Sequence, residues 1–395
     1  MLKKFNITKK FNHMKKVFLI LALFTSLGLD AQFVITSSNN VTEDQDGGIF
    51  YYLPRNIIKL EFTVEETTYH IGPYAEFADK LMGLTDYVKE NKTVYSIKDV
   101  DIQIANEADP NAVYCISADD RSKDPMPSVI LDENGVILAV GYDSVPSDIQ
   151  AKTNRFIYSE LTQTSKPEVT FIGFLDNEIE LEEAEDPDDD GEEGGKKSSK
   201  GVTKEDRAKA IVDKISKIRT AYFELVSGFQ EVAYGTSTAY MAENMQNLEN
   251  EYISLFKGKI TTNTYKKTVY YTPEANNANN TVTVAKLSAT EGLVDANGKG
   301  DAIKMQFESI NSLQNVNPMI DKGKKTSLNN KLYYRMPAKS NVKVVFSNNV
   351  IAEKQLTISQ FGKVRLLSVK NNKVLFNPNT GQIITLIKQD NVVKN

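Results

Sequence analysis

Apolar and polar positions change their period twice along this chain. Within Ile57–Val64 the residues Ile58, Leu60, Phe62 and Val64 alternate with polar neighbours, the two-residue period of a sheet with one buried face. Gly72-Pro73 then interrupts the pattern, and Tyr74–Met82 reads as a short helix closed by Gly83. Strand-like runs return at Thr93–Ala105 and Ala112–Ser117. Val129–Val140 is the clearest hairpin, with Asn134-Gly135 expected to supply the positive φ angles of its turn. Glu168–Leu175 is expected to add one more strand.

The second period is helical. Ala208, Ile211, Ile215, Ile218, Tyr222, Leu225 and Phe229 follow spacings of 3, 4, 3, 4, 3 and 4. Met241, Met245, Leu248, Tyr252 and Leu255 continue with 4, 3, 4 and 3. Both stretches predict amphipathic helices with narrow apolar seams. Thr203 and Asp206 have the spacing of a capping box, and Gly228, Gly235 and Gly258 punctuate the ends. Two antiparallel helices packed seam to seam are the simplest arrangement. Each seam side chain that is buried contributes about 1.5–3 kcal/mol.

Beyond Lys259 the chain again reads as β. Lys259–Thr272, Ile303–Ile310, Lys331–Met336 and Val342–Phe346 are candidate strands, and Ala275–Asn280 is an Asn-rich loop. Phe376–Ile387, turning through Asn377-Pro-Asn-Thr-Gly381, closes the chain as a hairpin. Short strands with Gly, Pro and Asn punctuation predict a sandwich-like β domain. No internal repeat of fixed period is present.

Charge separates these regions. Between Asp176 and Glu193, 12 of 18 residues are acidic, and Gly191–Gly201 is rich in Gly, Lys and Ser. Self-repulsion and the scarcity of apolar residues predict a solvated linker. Asp186, Asp188, Asp190 and Gly191 match the start of a calcium loop, but Pro187 intrudes and Lys197 stands where a bidentate carboxylate is needed.

At the other end, Met14-Lys15-Lys16 precedes a 13-residue mainly apolar run, Val17–Leu29, and then Asp30-Ala31-Gln32. This is the pattern of a secretory leader cleaved after Ala31, and it is too short for a membrane anchor. Met1 and Met14 are both open as the start. The mature chain would carry 41 basic and 51 acidic residues, a net charge of −10, which argues against nucleic-acid binding. No later run is long and apolar enough to span a bilayer, and Cys115 lies too far downstream for an acylated N-terminus.

Several segments resemble a known family. Lys214–Gly228 with Leu248–Gly258 looks like the helical pair of domain-of-unknown-function family 4831, and Tyr333–Ala338, Gln360–Val364 and Ile71–Ala78 resemble its other landmarks. The acidic linker departs from that pattern as an insertion. The resemblance implies an exported bacterial envelope protein with no assigned activity, and it supplies no catalytic residues.

The chemistry available to the chain is sparse. It has two His, one Cys and no Trp. With His13 in the leader, His70 stands alone, so one mature chain cannot assemble a multi-His metal site, and any Ser-His-Asp scheme would have to use His70. His70 is read as structural, and Cys115, among strand-forming neighbours, as a small core residue. Glu65-Glu66 is read as a solvent-exposed strand end, and Asp119-Asp120-Arg121 as a loop with a local ion pair. Gly298-Lys299-Gly300 lacks the spacing of a phosphate-binding loop and reads as a turn. Arg335, amid aromatic and apolar residues, is expected to pair with a carboxylate.

The sequence therefore predicts an α+β, mainly β protein. A leader (1–31) precedes an N-terminal β-rich domain (32–175), an acidic linker (176–202), a helical hairpin (203–258) and a C-terminal β domain (259–395). No catalytic, cofactor-binding or metal-ligating residue is singled out, and no cofactor is expected. The expected function is a non-catalytic structural or protein-binding module of the periplasm or the periplasmic side of the outer membrane, with an envelope protein as partner. Two alternatives stay open. One is a glycan-acting hydrolase using two carboxyls about 5–10 Å apart and ringed by Tyr, and the other is a small-ligand-binding protein with a dry pocket.

Overall fold

The structure is a computed structural model, and it describes residues 33–37, 48–118, 126–150, 169–172, 202–229, 234–310 and 329–388. The expected leader and nearly all of the acidic linker, with its calcium-like pattern, lie outside these residues, as does Asp119-Asp120-Arg121.

The chain is mostly β, with antiparallel sheets. It begins with β1 (Phe33–Ser37) and the long β2 (Ile49–His70), followed by the short helix α1 (Ala78–Met82). Next come β3 (Lys92–Ala118), β4 (Val129–Leu131) and β5 (Ile137–Val140). The helical pair is α2 (Lys204–Ser227) and α3 (Ser237–Lys257). The later strands start with β6 (Lys259–Tyr271), β7 (Thr281–Ser288), β8 (Gly292–Asp295) and β9 (Asp301–Ser309). They end with β10 (Lys331–Phe346), β11 (Asn349–Ser368), β12 (Asn372–Phe376) and β13 (Ile383–Lys388).

Among the described residues three sheets form, in the orders β1-β3-β2-β6, β11-β10-β9-β7-β8 and β13-β12-β5-β4. Two of them join strands from the two β-rich stretches of sequence. β6 pairs with β2 along thirteen positions, from Ile58↔Tyr271 to His70↔Lys259, and β12 pairs with β5 through Val374↔Val140.

The alternation in β2 carries the main core. Ile58, Leu60, Phe62 and Val64 are fully buried and face Ile303, Met305 and Phe307 of β9, Val342 and Val344 of β10, and Ile358 of β11. This is a sheet-on-sheet core. A second core forms farther along the same strands, where Phe33, Tyr51, Leu53 and Ile116 meet Ile137, Val140, Val374 and Phe376. β2 and β3 each run through both cores, and so are far longer than the runs read from sequence. Cys115 is buried on β3, as expected.

The hairpin at Val129–Val140 is present, with a different turn chemistry from the one expected. Only Gly135 takes a positive φ, at 78°. Asp132 holds the turn instead, its Oδ1 accepting from the amides of Asn134 (2.8 Å) and Val136 (2.9 Å). The strand expected at Glu168–Leu175 is absent from the described residues 169–172, where Phe171 and Ile172 pack on the helices.

The helical pair docks beside the sheets rather than inside them. Thr203 and Asp206 form the expected capping box, and Gly228 ends α2 in the left-handed conformation. At the base, Ala208, Ile211 and Ile215 of α2 and Tyr252, Leu255 and Phe256 of α3 close over Ala78 of α1. Gly72 makes this possible, since a Cβ there would meet the Leu255 carbonyl. The Tyr74 amide donates to the Leu255 oxygen at 2.9 Å, and the Val88 amide to the Lys257 oxygen at 2.9 Å.

Candidate functional site

Both long hairpins break their ladders in the same way. In the β2–β3 pair, Tyr52 faces Val113 and Pro54 faces Ala108, so the four residues Asp109–Ala112 stand opposite Leu53 alone. In the β10–β11 pair, Met336 faces Lys363 and Ala338 faces Ile358, so Ser359–Gly362 stand opposite Pro337 alone. Pro110 and Pro337 lack the amide hydrogens a continuous ladder would need, which places the breaks there. Gly362 lies so close to the β10 backbone that a Cβ would fall on the Met336 carbonyl.

The broken ladders free polar groups, and these hold one another and the closing turn Asn377–Gly381. Asn56 Oδ1 accepts from the Ser359 amide (2.7 Å), while Gln360 bridges the Asn56 backbone, accepting from its N–H (2.9 Å) and donating to its carbonyl (2.7 Å). Four successive carbonyls of the turn are read by three side chains and one amide. Asn106 Nδ2 donates to Pro378 O (3.0 Å), Asn56 Nδ2 to Asn379 O (3.0 Å), Ser359 Oγ to Thr380 O (3.2 Å) and the Arg335 amide to Gly381 O (3.3 Å). Asn56, Asn106 and Ser359 are buried. Their amides and hydroxyl replace the water that these carbonyls would otherwise bind.

An ion pair lies at the centre of this clasp. Arg335 Nη2 donates to Asp109 Oδ2, and both side chains are less than a tenth exposed. Asp109 Oδ1 accepts from the Asn111 amide at 3.0 Å, so both carboxylate oxygens are engaged. Arg335 Nε and Nη1 and Asn106 Oδ1 have no protein hydrogen-bond partner among the described residues, which leaves Asp109 to balance the guanidinium.

Three tyrosines cluster beside this pair, of which Tyr114 feels the charges of both Arg335 and Asp109. Tyr114 stacks on Tyr333 at 4.3 Å between ring centres, and Tyr51 lies 5.5 Å from Tyr114. Tyr51 donates to Tyr333 O (3.2 Å) and accepts from its amide (3.0 Å). Burial pushes the Tyr51 hydroxyl well above the ordinary tyrosine range. Burial raises Tyr114 as well, helped by Tyr333 and opposed by Arg335. With both Asp109 oxygens engaged and Arg335 bound to one of them, the cluster ties strands together, the pairing expected of Arg335.

The other residues weighed from sequence are scattered. His70 ends β2 with Nε2 3.3 Å from Thr261 Oγ1. Gly298-Lys299-Gly300 is a turn between β8 and β9. Glu65 pairs with Lys98 at 2.7 Å. Glu66 is not the solvent-exposed strand end expected of it. It continues the inward row of Phe62 and Val64, is 5 per cent exposed, and accepts from the Tyr95 hydroxyl at 3.0 Å. Partial burial of Tyr95 itself, and then its hydrogen bond to the Glu66 carboxylate, raise the Tyr95 pKa to about 12. Among the described residues no group of three or more His, Cys, Asp or Glu side chains could hold a metal ion, and no helix is long and apolar enough to cross a membrane.

The far half of the helical pair is the exposed counterpart of the clasp. Arg219 Nε donates to Glu249 (2.6 Å) and Gln246 to the Tyr222 hydroxyl (2.7 Å), fixing an antiparallel register. Beyond these bonds, apolar side chains face outward: Phe223 is 60 per cent exposed, Phe229 76 and Tyr240 70, with Val226 also exposed, and Leu248 is exposed between the two bonded positions. The seam predicted to run as far as Phe229 is fully buried at its base, while farther out only Leu225 remains buried.

A family model described as "Domain of unknown function (DUF4831)" matches residues 47–185 and 196–384. The chain belongs to this family. No curated protein and no solved structure matches it. The DUF4831 match breaks between 185 and 196, inside the acidic run. The motifs that resembled DUF4831 in the sequence meet in pairs in space. Tyr333–Ala338 faces Gln360–Val364 across the β10–β11 ladder at the clasp. Ile71–Ala78 meets Leu248–Gly258 at the foot of the hairpin, through the bond from Tyr74 to Leu255.

The clasp could not be found from sequence beyond Arg335, because its amides and serine are common surface residues. The usable signal was Pro110 and Pro337 inside strand-forming runs, which mark bulges.

Proposed function

We propose that this member of DUF4831 is an exported envelope protein that acts by contact, docking a protein partner on the far end of the α2–α3 hairpin. The observation that carries the reading is the gradient of burial along the two helices. Ile211, Ile215 and Leu255 are sealed against α1, whereas Phe223, Phe229 and Tyr240 are more than half exposed. A cluster of exposed aromatic residues costs solubility and marks an interaction surface. Aromatic side chains also carry much of the energy at protein interfaces.

The leader-like segment Met14–Ala31 supports export to the periplasm or the periplasmic face of the outer membrane. The non-catalytic reading is supported by how the buried carboxylates are used. Asp109 is held by Arg335 and Asn111, and Glu66 by Tyr95, so each serves the packing of its sheet. The hairpin itself is seated at the other end of β2, where α1 and the Gly72 loop hold its base.

Site-specific photo-crosslinking tests the reading. A photoreactive residue at Phe223 or Tyr240 should capture one discrete protein in native envelopes, and the same residue at the sheet position Glu353 should not. Equal, diffuse labelling from all three positions would overturn it.

A further inference from the structure

We infer, resting on the docking reading above, that the segment received by the hairpin tip is a cationic amphipathic helix. The charge along α2 and α3 is sharply divided. The base of α2 is net positive, with Lys204, Arg207, Lys209, Lys214, Lys217 and Arg219 against Glu205, Asp206 and Asp213. From Thr220 to Phe256 there is no Lys, Arg or His, while Glu224, Glu231, Glu243, Glu249 and Glu251 all fall in this stretch. Two of these carboxylates serve the hairpin itself, Glu249 with Arg219 at 2.6 Å and Glu251 with Lys259 at 2.7 Å. Glu224 and Glu243 are exposed on the same outer half as Phe223, Val226 and Tyr240.

This combination selects among occupants. An anionic lipid surface or a nucleic acid would bring negative charge onto a surface with no cation to receive it. A second copy packed tip to tip would set glutamates against the same glutamates, a like-charge contact that disfavours self-pairing. An amphipathic helix with an apolar stripe and flanking Lys or Arg satisfies both features. Its stripe covers the aromatic residues, and its cations meet Glu224 and Glu243. The Phe223 and Phe229 rings, 6.2 Å apart, offer a contiguous apolar face for that stripe.

The test uses the mature chain and two short synthetic helices of the same Leu pattern, one with Lys and one with Glu at the polar positions. Fluorescence anisotropy should show saturable binding of the Leu/Lys peptide only. The affinity should weaken at least tenfold between about 0.01 M and about 0.15 M salt, as the Debye length falls from about 30 to about 8 Å. The double variant Phe223→Ser/Tyr240→Ser should lose binding, and Glu224→Gln/Glu243→Gln should weaken it several-fold. All four substitutions are at exposed sites, so each variant should melt like the parent.

Equal binding of the two peptides, or binding unchanged in the Gln variant, would overturn the charge assignment. Sedimentation as a dimer that the Ser variant abolishes would replace the cationic helix by a second copy, and flotation with anionic vesicles would replace it by a lipid surface. If Phe223 crosslinks to a discrete protein in the envelope but the Leu/Lys peptide does not bind, docking stands and only this inference fails.

Discussion

Arg335 and Asp109 are 226 residues apart in the chain and form a buried ion pair where the β2–β3 and β10–β11 hairpins both break their ladders. The pair joins one strand from each β-rich stretch. Removing one partner would strand the other charge in the interior, and that penalty exceeds the net value of the pair.

Asp109→Ala should therefore lower the unfolding free energy by about 3–5 kcal/mol, as measured by urea denaturation. Replacing both, Arg335→Met with Asp109→Leu, should recover most of that loss, because no buried charge remains. A single variant within about 0.5 kcal/mol of the parent, the range of ordinary surface changes, would refute the account of the clasp.

Glycine positions should divide into two classes. In Gly362→Ala the new Cβ meets the Met336 carbonyl, and in Gly72→Ala the Leu255 carbonyl, both backbone atoms that cannot step aside. Each should cost more than the roughly 1–3 kcal/mol of ordinary over-packing. Gly83 and Gly228 have open space around them, but φ of 65° and 75°. Alanine there should cost only the left-handed penalty, about 1–2 kcal/mol. Thermal melts of the four variants would show whether the order holds.

The alkaline limb of stability should be set by one buried and two half-buried tyrosines. Tyr51, Tyr95 and Tyr114 all have pKa values raised in the folded state, Tyr95 to about 12. A folded pKa above the unfolded value of about 10 means that the folded state holds its proton longer. The contribution is complete below pH 10 and is lost as pH rises toward about 12. Ultraviolet titration should show a fraction of the 18 tyrosines ionising late, together with unfolding. Tyr95→Phe should remove one late titration.

Cys115 gives a probe of opening. It is buried on β3 and burial raises its thiol pKa, so it has little thiolate and no access. Maleimide labelling of the native protein should be slow and should track the unfolded population as urea is added. Rapid labelling in native buffer would show that the β1–β3 edge opens far more readily than its pairing indicates.

Local patterns in the chain carried most of the secondary structure. The alternation at Ile58–Val64 identified the inner face of β2, and the 3–4 spacing from Ala208 onward identified α2. Thr203 with Asp206 marked where α2 starts. What the periodicity missed were strands whose alternation is diluted by polar residues. β11 is the clearest example, because Glu353, Lys354 and Gln355 sit on an exposed stretch near its start. β2 and β3 were read short for a different reason. Pro54 and Pro110 look like strand ends, yet a bulge lets the chain pass through them.

Glu66 and the helical seam show the limit of such readings. Two adjacent glutamates suit a solvated end, and only the folded sheet, with the Tyr95 hydroxyl of β3 donating to it, buries the second of them. The 3–4 stripe reports that a face is apolar, and it is the same on the buried base and the exposed tip. Which part is covered depends on where α1 and the Gly72 loop come to rest.

Periodicity, capping and charge runs act over a few residues, so the mainly β character, the helical pair and the acidic run were legible in the amino-acid sequence by itself. Strand order, the pairing of β2 with β6 and β5 with β12, and the meeting of Asp109 with Arg335 come from long-range burial. Which apolar faces seal each other, and which polar groups are then obliged to find partners, is settled only when the whole chain competes for the same interior.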